Sequence, residues 1–289
     1  MRVANHGMQA LALLFFASTA SAQFTLFSQN ALHLGWGRDS YYTNKNTYLT
    51  TSVINKTTPN FDVGIIQEVM NGNELDTLYP QSPPGTYMVI STVFQGASTY
   101  REAYSFLVRN PTSSNTCCTL TKSTGNASIT LYGGGGFSRP PSGIVVSNNG
   151  TETWVINYHA VFGNISSRRT EVANMALAIP VFQGVNVGSS PGHKVTRYIV
   201  GGDWNFPADD SVFTTIRSKL TATVLVQPTA LTSLKRNGDM SSAYDHFLWD
   251  TATGVTATSP AVVQPPGGKS RKDFRDMFSD HLGISISVN

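Results

Sequence analysis

Arg197-Tyr198-Ile199-Val200-Gly201-Gly202-Asp203-Trp204-Asn205-Phe206-Pro207 is the stretch that decides the fold. It begins with a short apolar run rich in β-branched residues, which predicts a buried strand. Two glycines then allow the backbone to turn, and an acid and an amide follow at the carboxyl end of the strand. On an extended segment, residues two apart point to the same side, so Asp203 and Asn205 can face one reacting group. An Asx-type turn is the alternative interpretation of the same composition.

Length and composition predict one strand-rich domain. A chain of 289 residues can form one large domain or two small ones, and its 40% hydrophobic content is enough for a sizeable core. The 25 glycines and many short apolar runs are typical of strands joined by long loops. No repeat or linker divides the sequence, so we expect a single domain over residues 23–289. Strands that alternate with few helices predict two sheets packed face to face, with helices outside.

The N-terminus has the pattern of a signal peptide over residues 1–22. Arg2 supplies a positive start, Ala10 to Ala17 is apolar, and Ala20-Ser21-Ala22 fits a cleavage site. We therefore expect an extracellular or periplasmic protein, with no membrane span, since no stretch reaches the ~20 apolar residues that a span needs. Removing Arg2 takes the formal charge from +3 to +2. A polyanionic partner would therefore have to bind a local patch.

The only two cysteines, Cys117 and Cys118, are adjacent. Neighbouring cysteines can form a bridge only in strained geometry, so a vicinal disulfide, two free thiols and intermolecular pairing all remain open. Stability must come mainly from the core rather than from cross-links.

Several local predictions complete the secondary structure. We expect a helix over 166–179 that stops before Pro180, and a helix over 211–220 with Ser211 as N-cap. Residues 109–136 and 258–271 are predicted loops, and residues 39–60 a loop followed by a helix. The pair Arg168-Arg169 is interpreted as a solvated helix face. His33, His193 and His246 are interpreted as ordinary surface or core histidines.

Polar residues stand at the ends of six predicted strands and in the loop before the last one. They are Asn30, Glu68, Glu102, His159, Asp203 with Asn205, Asp245, and then Asp280 with His281. Turn positions favour Asp and Asn, so one such residue means little. Two histidines and five acids placed this way in a chain with only 13% charged residues indicate a site.

Metal-assisted hydrolysis of a phosphate ester is the chemistry that needs this set. Carboxylate and amide oxygens suit a hard cation such as Mg²⁺ or Ca²⁺. The cation would offset the negative charge that builds on phosphorus, and the histidines would move protons to and from the oxygens. Zinc is disfavoured, because the sequence has no usable thiol ligands and no His-x-x-x-His spacing.

The ordered set resembles the endonuclease/exonuclease/phosphatase superfamily, and within it the secreted pancreatic-type deoxyribonucleases. The matching pieces are Asn30, Ile66-Gln67-Glu68-Val69, Tyr100-Arg101-Glu102-Ala103-Tyr104-x-Phe106-Leu107-x-Arg109, Phe137-Ser138-Arg139-x-Pro141, Asn157-x-His159, Gly202-Asp203-x-Asn205, Ala243-Tyr244-Asp245 and Ser279-Asp280-His281. They run in family order over essentially the whole of residues 24–288. The resemblance implies an α+β fold, a four-layer α/β/β/α sandwich of two mixed β-sheets flanked by helices.

The resemblance also implies a role for each residue. Glu68 would bind a divalent cation, Mg²⁺ or else Ca²⁺, with Asp203 and Asp280 near the metal and the phosphate. Asn30 and Asn205 would hold phosphate oxygens. The pairs His159–Glu102 and His281–Asp245 would supply the acid and the base, in an order that the sequence leaves open. Tyr100 and Arg139 match positions that contact the nucleic-acid backbone.

The implied activity is that of a secreted, divalent-metal-dependent endonuclease that cleaves DNA. Leu32 and Met70 stand where the pancreatic enzymes carry arginines that reach into the minor groove, so tight binding to duplex DNA is not implied. The alternatives are a nuclease subunit like that of cytolethal distending toxins, which acts with delivery subunits, and a phospholipid phosphodiesterase of the same fold. The alternative that is not an enzyme is a catalytically silent member of the same fold that serves as a binding module.

Overall fold

The computed structural model describes residues 23–35, 45, 61–70, 87–96, 101–111, 117–123 and 127–289. Its strands are β1 Phe24–Leu34, β2 Val63–Val69, β3 Tyr87–Ser91, β4 Ala103–Arg109, β5 Thr119–Thr121, β6 Thr130–Leu131, β7 Ser142–Asn148, β8 Thr151–His159, β9 Tyr198–Asp203, β10 Val224–Gln227, β11 Asp245–Asp250, β12 Ala257–Val262 and β13 Ile284–Val288. Its α-helices are α1 Ile165–Ala173, α2 Met175–Gly184, α3 Ser211–Leu220 and α4 Arg271–Met277, and two 3₁₀ turns span Thr251–Thr253 and Pro266–Gly268. The predicted signal peptide, Tyr100 and all of 39–60 except Lys45 lie outside the described residues.

Two mixed sheets form the centre of the molecule. The first has the order β12-β13-β1-β2-β4-β3, and the second has the order β10-β11-β9-β8-β7-β5, with β6 also paired to β7. β1 and β2 are parallel, as are β8 and β9, while the other pairs are antiparallel. The two parallel pairs occupy the middle of their sheets and face each other. The carboxyl ends of these four central strands therefore meet at one edge of the sandwich.

Three apolar layers hold the sheets and helices together. Ile65 and Ile199 lie in the layer between the sheets. Val200, the next residue, instead joins the layer under α1, α2 and α3, while Phe274 of α4 packs on the outer face of the first sheet. Successive strand residues point to opposite faces, so a strand covered on both sides needs the continuous apolar run that Tyr198–Val200 provides. The predicted four-layer α/β/β/α sandwich is confirmed.

Strand β9 continues through both glycines to Asp203, whereas a turn was predicted at these glycines. Gly202 has φ +144°, and a Cβ on it would lie 1.8 Å from the carbonyl oxygen of Tyr158 on the neighbouring strand. A Cβ on Gly201 would lie 2.6 Å from Ile65 Cδ1 in the opposite sheet. The glycines therefore permit close approach of strands and of sheets, and the turn follows one residue later.

The helices differ from prediction at their ends. One helix was expected over 166–179, but α1 and α2 meet at Asn174, and α2 continues through Pro180. Proline costs one backbone hydrogen bond, which the burial of Ala178, Ile179 and Phe182 against the sheet offsets. Helix α3 has its predicted span, but its N-cap is Asp210, whose carboxylate accepts from the N–H of Val212 at 2.9 Å.

Both predicted loops contain strands. Within 109–136, β5 and β6 pair with β7, and Cys117 and Cys118 form a vicinal disulfide buried between the sheets. Within 258–271, β12 is the edge strand of the first sheet and pairs with β13. Pro260 is tolerated there because the register shifts between Thr258 and Ala261, at a strand edge that needs no donor.

Candidate active site

The meeting strand ends bring the predicted residues together. Asn30 lies on β1, Glu68 on β2, His159 at the end of β8 and Asp203 at the end of β9. Asp203 pairs in register with both His159 and Asp245, which opens the antiparallel strand β11. All five side chains are buried, so their polar atoms must find partners within the protein.

The first imidazole–carboxylate pair is His159 with Glu102. The two residues are 57 positions apart, and Nδ1 of His159 lies 2.8 Å from Oε1 of Glu102. Burial and the guanidinium of Arg139 lower the pKa of His159, but Glu102 and Asp203 outweigh them and the net shift is upward. The contact with Glu102 directs the other ring nitrogen, Nε2, toward the centre of the site.

The second pair is His281 with Asp245, joined by a 2.7 Å contact between Nδ1 and Oδ2. Ser279 orients this histidine, because its Oγ accepts from the N–H of His281 at 3.0 Å and donates to the carbonyl of Asn30 at 2.7 Å. Burial opposes the charged imidazolium, but the two carboxylates of Asp245 and Asp203 raise the pKa of His281 well above its ordinary value. This histidine therefore holds its proton strongly.

Asp203 lies at the centre. Its Oδ2 is 3.8 Å from Nε2 of His159 and 3.5 Å from Nε2 of His281. Its Oδ1 accepts from the N–H of Asn205 at 2.9 Å, so the segment after β9 is the Asx-type turn and Asn205, at φ +54°, is not extended. Burial raises the pKa of Asp203, although both imidazoles oppose this. Asp203 therefore both accepts the hydrogen bond of an Asx-type turn and lies between the two imidazoles, so the two interpretations of this segment are compatible.

Glu68 forms the other side of the centre. A single amide nitrogen, Nδ2 of Asn30, donates to Oε1 of Glu68 at 3.0 Å and to Oδ2 of Asp203 at 3.1 Å. Burial by itself raises the pKa of Glu68, but His159, His33 and the Asn30 amide lower it to about 2. Asn30, expected to hold phosphate oxygens, thus directs its donors at two carboxylates.

The donor set fits a hard divalent cation. The carboxylates of Glu68, Glu102, Asp203, Asp245 and Asp280 line or adjoin the site, against the imidazoles of His33, His159 and His281 and the guanidinium of Arg139. Two of these carboxylates converge on the one nitrogen of Asn30, an arrangement of like charges that a cation would stabilise. Glu68, Asp203 and Asp280 are the oxygen donors that would hold it.

A second ligand grouping is less suitable. Asp203, Asp245 and His281 each place one ligand atom within 4.8 Å of the others. The Oδ2 atom of Asp245 is already 2.7 Å from Nδ1 of His281. A cation bound by this group would compete with the contact that orients the imidazole, so we favour the site at Glu68.

The remaining predicted residues have different environments. Asp280 is half-buried and lines the cavity beside His281. Asn205 donates to the carbonyl of Ala160 at 2.9 Å. Arg139, expected to contact a nucleic-acid backbone, is 6% exposed, and its Nε lies 3.4 Å from Oε1 of Glu102 while its Nη2 donates to the same carbonyl of Ala160 at 2.8 Å. It therefore supports the first imidazole–carboxylate pair. Tyr100 lies outside the described residues.

Two residues that shape the site were not predicted from the sequence. His33, interpreted as an ordinary histidine, places Nε2 3.4 Å from Oε2 of Glu68 and donates its backbone N–H to the same oxygen at 3.0 Å. Glu171 is buried in α1 and accepts from the backbone N–H groups of Ser138 and Val161 at 2.7 and 2.8 Å. His33 stands near the end of β1 but has no motif partner, and Glu171 lies on a helix, so no signal in the sequence marked them.

Two adjoining cavities open at the site. One of ≈ 440 Å³ is bordered by Ser138 and Arg139, and one of ≈ 330 Å³ is bordered by Asp280 and His281. Glu68, His159 and Phe162 line both. The cavities therefore adjoin each other at these three residues.

Comparisons with known proteins agree with this architecture. No protein-family model matches the sequence, and no curated protein matches it significantly. D. rerio TDP2, solved with a single-strand DNA product, is 15% identical, with a TM-score of 0.62 over 93% of this chain and 99% of that one. An endonuclease/exonuclease/phosphatase family protein from Bacteroides thetaiotaomicron is 13% identical, with a TM-score of 0.63 over 92% and 97%. The mannosyl-6-phosphatase of the same bacterium is 13% identical, with a TM-score of 0.61 over 92% and 99%. The chain has the endonuclease/exonuclease/phosphatase fold.

Proposed function

We propose that this chain is a secreted, divalent-metal-dependent phosphodiesterase that cleaves DNA. The observation that carries the proposal is the presence of two buried imidazole–carboxylate pairs whose Nε2 atoms both face Asp203, at 3.8 and 3.5 Å. Hydrolysis of a phosphodiester needs one group that takes a proton from water and one that gives a proton to the leaving oxygen. His159 and His281 would supply these two groups, and both lie close to the carboxylate of Asp203.

The two histidines differ in charge environment, and this difference assigns their roles. His281 lies between Asp245 and Asp203, which stabilise its protonated form, so it is the acid. His159 shares Glu102 with the guanidinium of Arg139, 3.4 Å from the same oxygen. The carboxylates around His159 still raise its pKa, but Arg139 opposes them and, in the described part of the chain, no such cation lies beside the partner of His281, so we assign His159 as the base. A divalent cation held by Glu68 would stabilise the negative charge of the phosphorane-like transition state.

DNA as the substrate rests on the motif pattern and on the fold. The segments 100–109 and 137–141 resemble the nuclease branch, and D. rerio TDP2, which shares the fold, was solved with a single-strand DNA product. Secretion rests on the pattern of residues 1–22. Among the described residues, no helix combines the length and hydrophobicity needed to cross a membrane.

Nicking of a supercoiled plasmid by residues 23–289 tests the activity. With Mg²⁺, and separately with Ca²⁺, we expect metal-dependent nicking that a chelator abolishes. Glu68→Gln keeps the shape of the side chain but removes one charge, so it should raise the Mg²⁺ concentration that half-maximal rate requires. A folded wild type that leaves plasmid and single-stranded oligonucleotides intact, but hydrolyses a sugar phosphate or a phospholipid, would overturn the proposal.

The assignment of acid and base predicts opposite changes in the pH profile. Asp245→Asn removes an anion that raises the pKa of His281, so the acid loses its proton at lower pH and the alkaline limb of kcat/KM should move down by about one unit. Glu102→Gln lowers the pKa of His159 in the same way. A base works when deprotonated, so here the acidic limb should move down instead. If Asp245→Asn moved the acidic limb, the two roles would be reversed.

A further inference from the structure

Phe162 is a large apolar side chain at the mouth of a polar site. It is 76% exposed and stands three residues after the end of β8, where His159 lies. Single exposed apolar residues are common and need no explanation. Phe162 differs because it lines both cavities of the site, together with Glu68 and His159.

The backbone that carries Phe162 is held by buried polar groups. The carbonyl of Ala160 accepts from Nη2 of Arg139 at 2.8 Å and from Nδ2 of Asn205 at 2.9 Å. The N–H of Val161 donates to the buried carboxylate of Glu171 at 2.8 Å. The ring is therefore presented to solvent from an ordered segment, which lowers the entropy cost of any contact that it makes.

A cation supports the ring from the protein side. The guanidinium carbon of Arg168 lies 5.7 Å from the centroid of Phe162 and 5.0 Å from that of Phe206, which is buried. Nη1 of the same arginine donates to the carbonyl of Asn205 at 3.0 Å. Arg168 is thus half-buried beside the site rather than on a solvated helix face. Cation–π attraction of this kind orients an exposed ring.

We propose that Phe162 is a stacking platform for an unpaired nucleobase adjacent to the scissile phosphate, and that it makes single-stranded DNA the preferred substrate. This proposal rests on the proposed function. A base in a duplex has both faces covered by its neighbours, whereas an unpaired base offers a face to an aromatic ring. The phosphate group next to that base would then lie in the cavities between Phe162 and the two histidines.

Cleavage of matched oligonucleotides tests the platform. Phe162→Ala should lower kcat/KM on single-stranded DNA by about 5- to 150-fold, the range that loss of one base–aromatic stack gives. On the same oligonucleotide with abasic residues beside the cleaved phosphate, wild type and variant should be equal. Phe162→Trp keeps an aromatic ring at this position, so its rate should be close to that of the wild type rather than that of Phe162→Ala. Ile165→Ala, at a side chain 51% exposed near the start of α1, is the matched control and should change neither rate.

A binding measurement separates this inference from the proposed function. Single-stranded DNA that contains 2-aminopurine loses fluorescence when that base stacks, and His281→Ala allows the measurement without turnover. Quenching that disappears when Phe162→Ala is added supports the platform, even if the wild type cleaves no DNA and the proposed function fails. A wild type that cleaves DNA, with quenching and kcat/KM unchanged by Phe162→Ala, would overturn the platform alone.

Discussion

Replacing His281 by alanine is expected to lower kcat for phosphodiester cleavage by about 10²- to 10⁴-fold, the contribution of a positioned acid. In the proposed mechanism Nε2 of His281, 3.5 Å from Asp203 Oδ2, would be the proton donor, since Asp245 and Asp203 raise the pKa of this imidazole. His159→Ala should cause a loss of similar size, since it removes the proposed base. Rates under saturating substrate, measured for each variant, check both expectations.

Two controls separate a chemical loss from a folding defect. His281→Asn keeps a donor that can bond Asp245 but no group that can transfer a proton, so it should fold and remain inactive. His193→Ala changes an exposed histidine that contacts Glu152 at 2.5 Å, and it should keep wild-type activity. If the His281→Asn variant had the melting temperature and the kcat of the wild type, His281 would be excluded as the acid.

Replacing Gly202 by alanine is expected to destabilise the fold by about 2–5 kcal/mol, because the new Cβ adds both backbone strain and a steric clash. The backbone there has φ +144°, and the Cβ would lie 1.8 Å from the carbonyl oxygen of Tyr158. Relief of that clash would separate β8 from β9, the strands that carry His159 and Asp203. For a domain of this size the melting temperature should fall by about 4–20 °C, which thermal unfolding by circular dichroism measures.

Gly184→Ala is the matched control for this change. Gly184 is exposed at the end of α2, its backbone does not require glycine, and a Cβ there would meet no atom within 4 Å. Its melting temperature should stay near that of the wild type. Equal melting temperatures for Gly202→Ala and the wild type would mean that β8 and β9 are not as close as the structure has them.

The sequence by itself determined the fold class, the central strands and the members of the two imidazole–carboxylate pairs. The reason is that local pattern encodes these features: a run such as Tyr198–Val200 must be covered on both faces, and the ends of such strands carry the polar residues. The resemblance then paired His159 with Glu102 and His281 with Asp245, and the structure joins both pairs directly.

Only the tertiary structure decided how the supporting residues act. Asn30 bonds a carboxylate 173 positions away, Glu171 reaches the backbone of Val161 from a helix, and Arg139 turns inward to Glu102. Such contacts depend on the register of strands and on the packing of sheet against helix, which no local period encodes. The same holds for Phe162, whose exposure beside His159 follows from the path of the chain after β8. Residue types and their order therefore indicate a chemistry, while burial and geometry assign the partners.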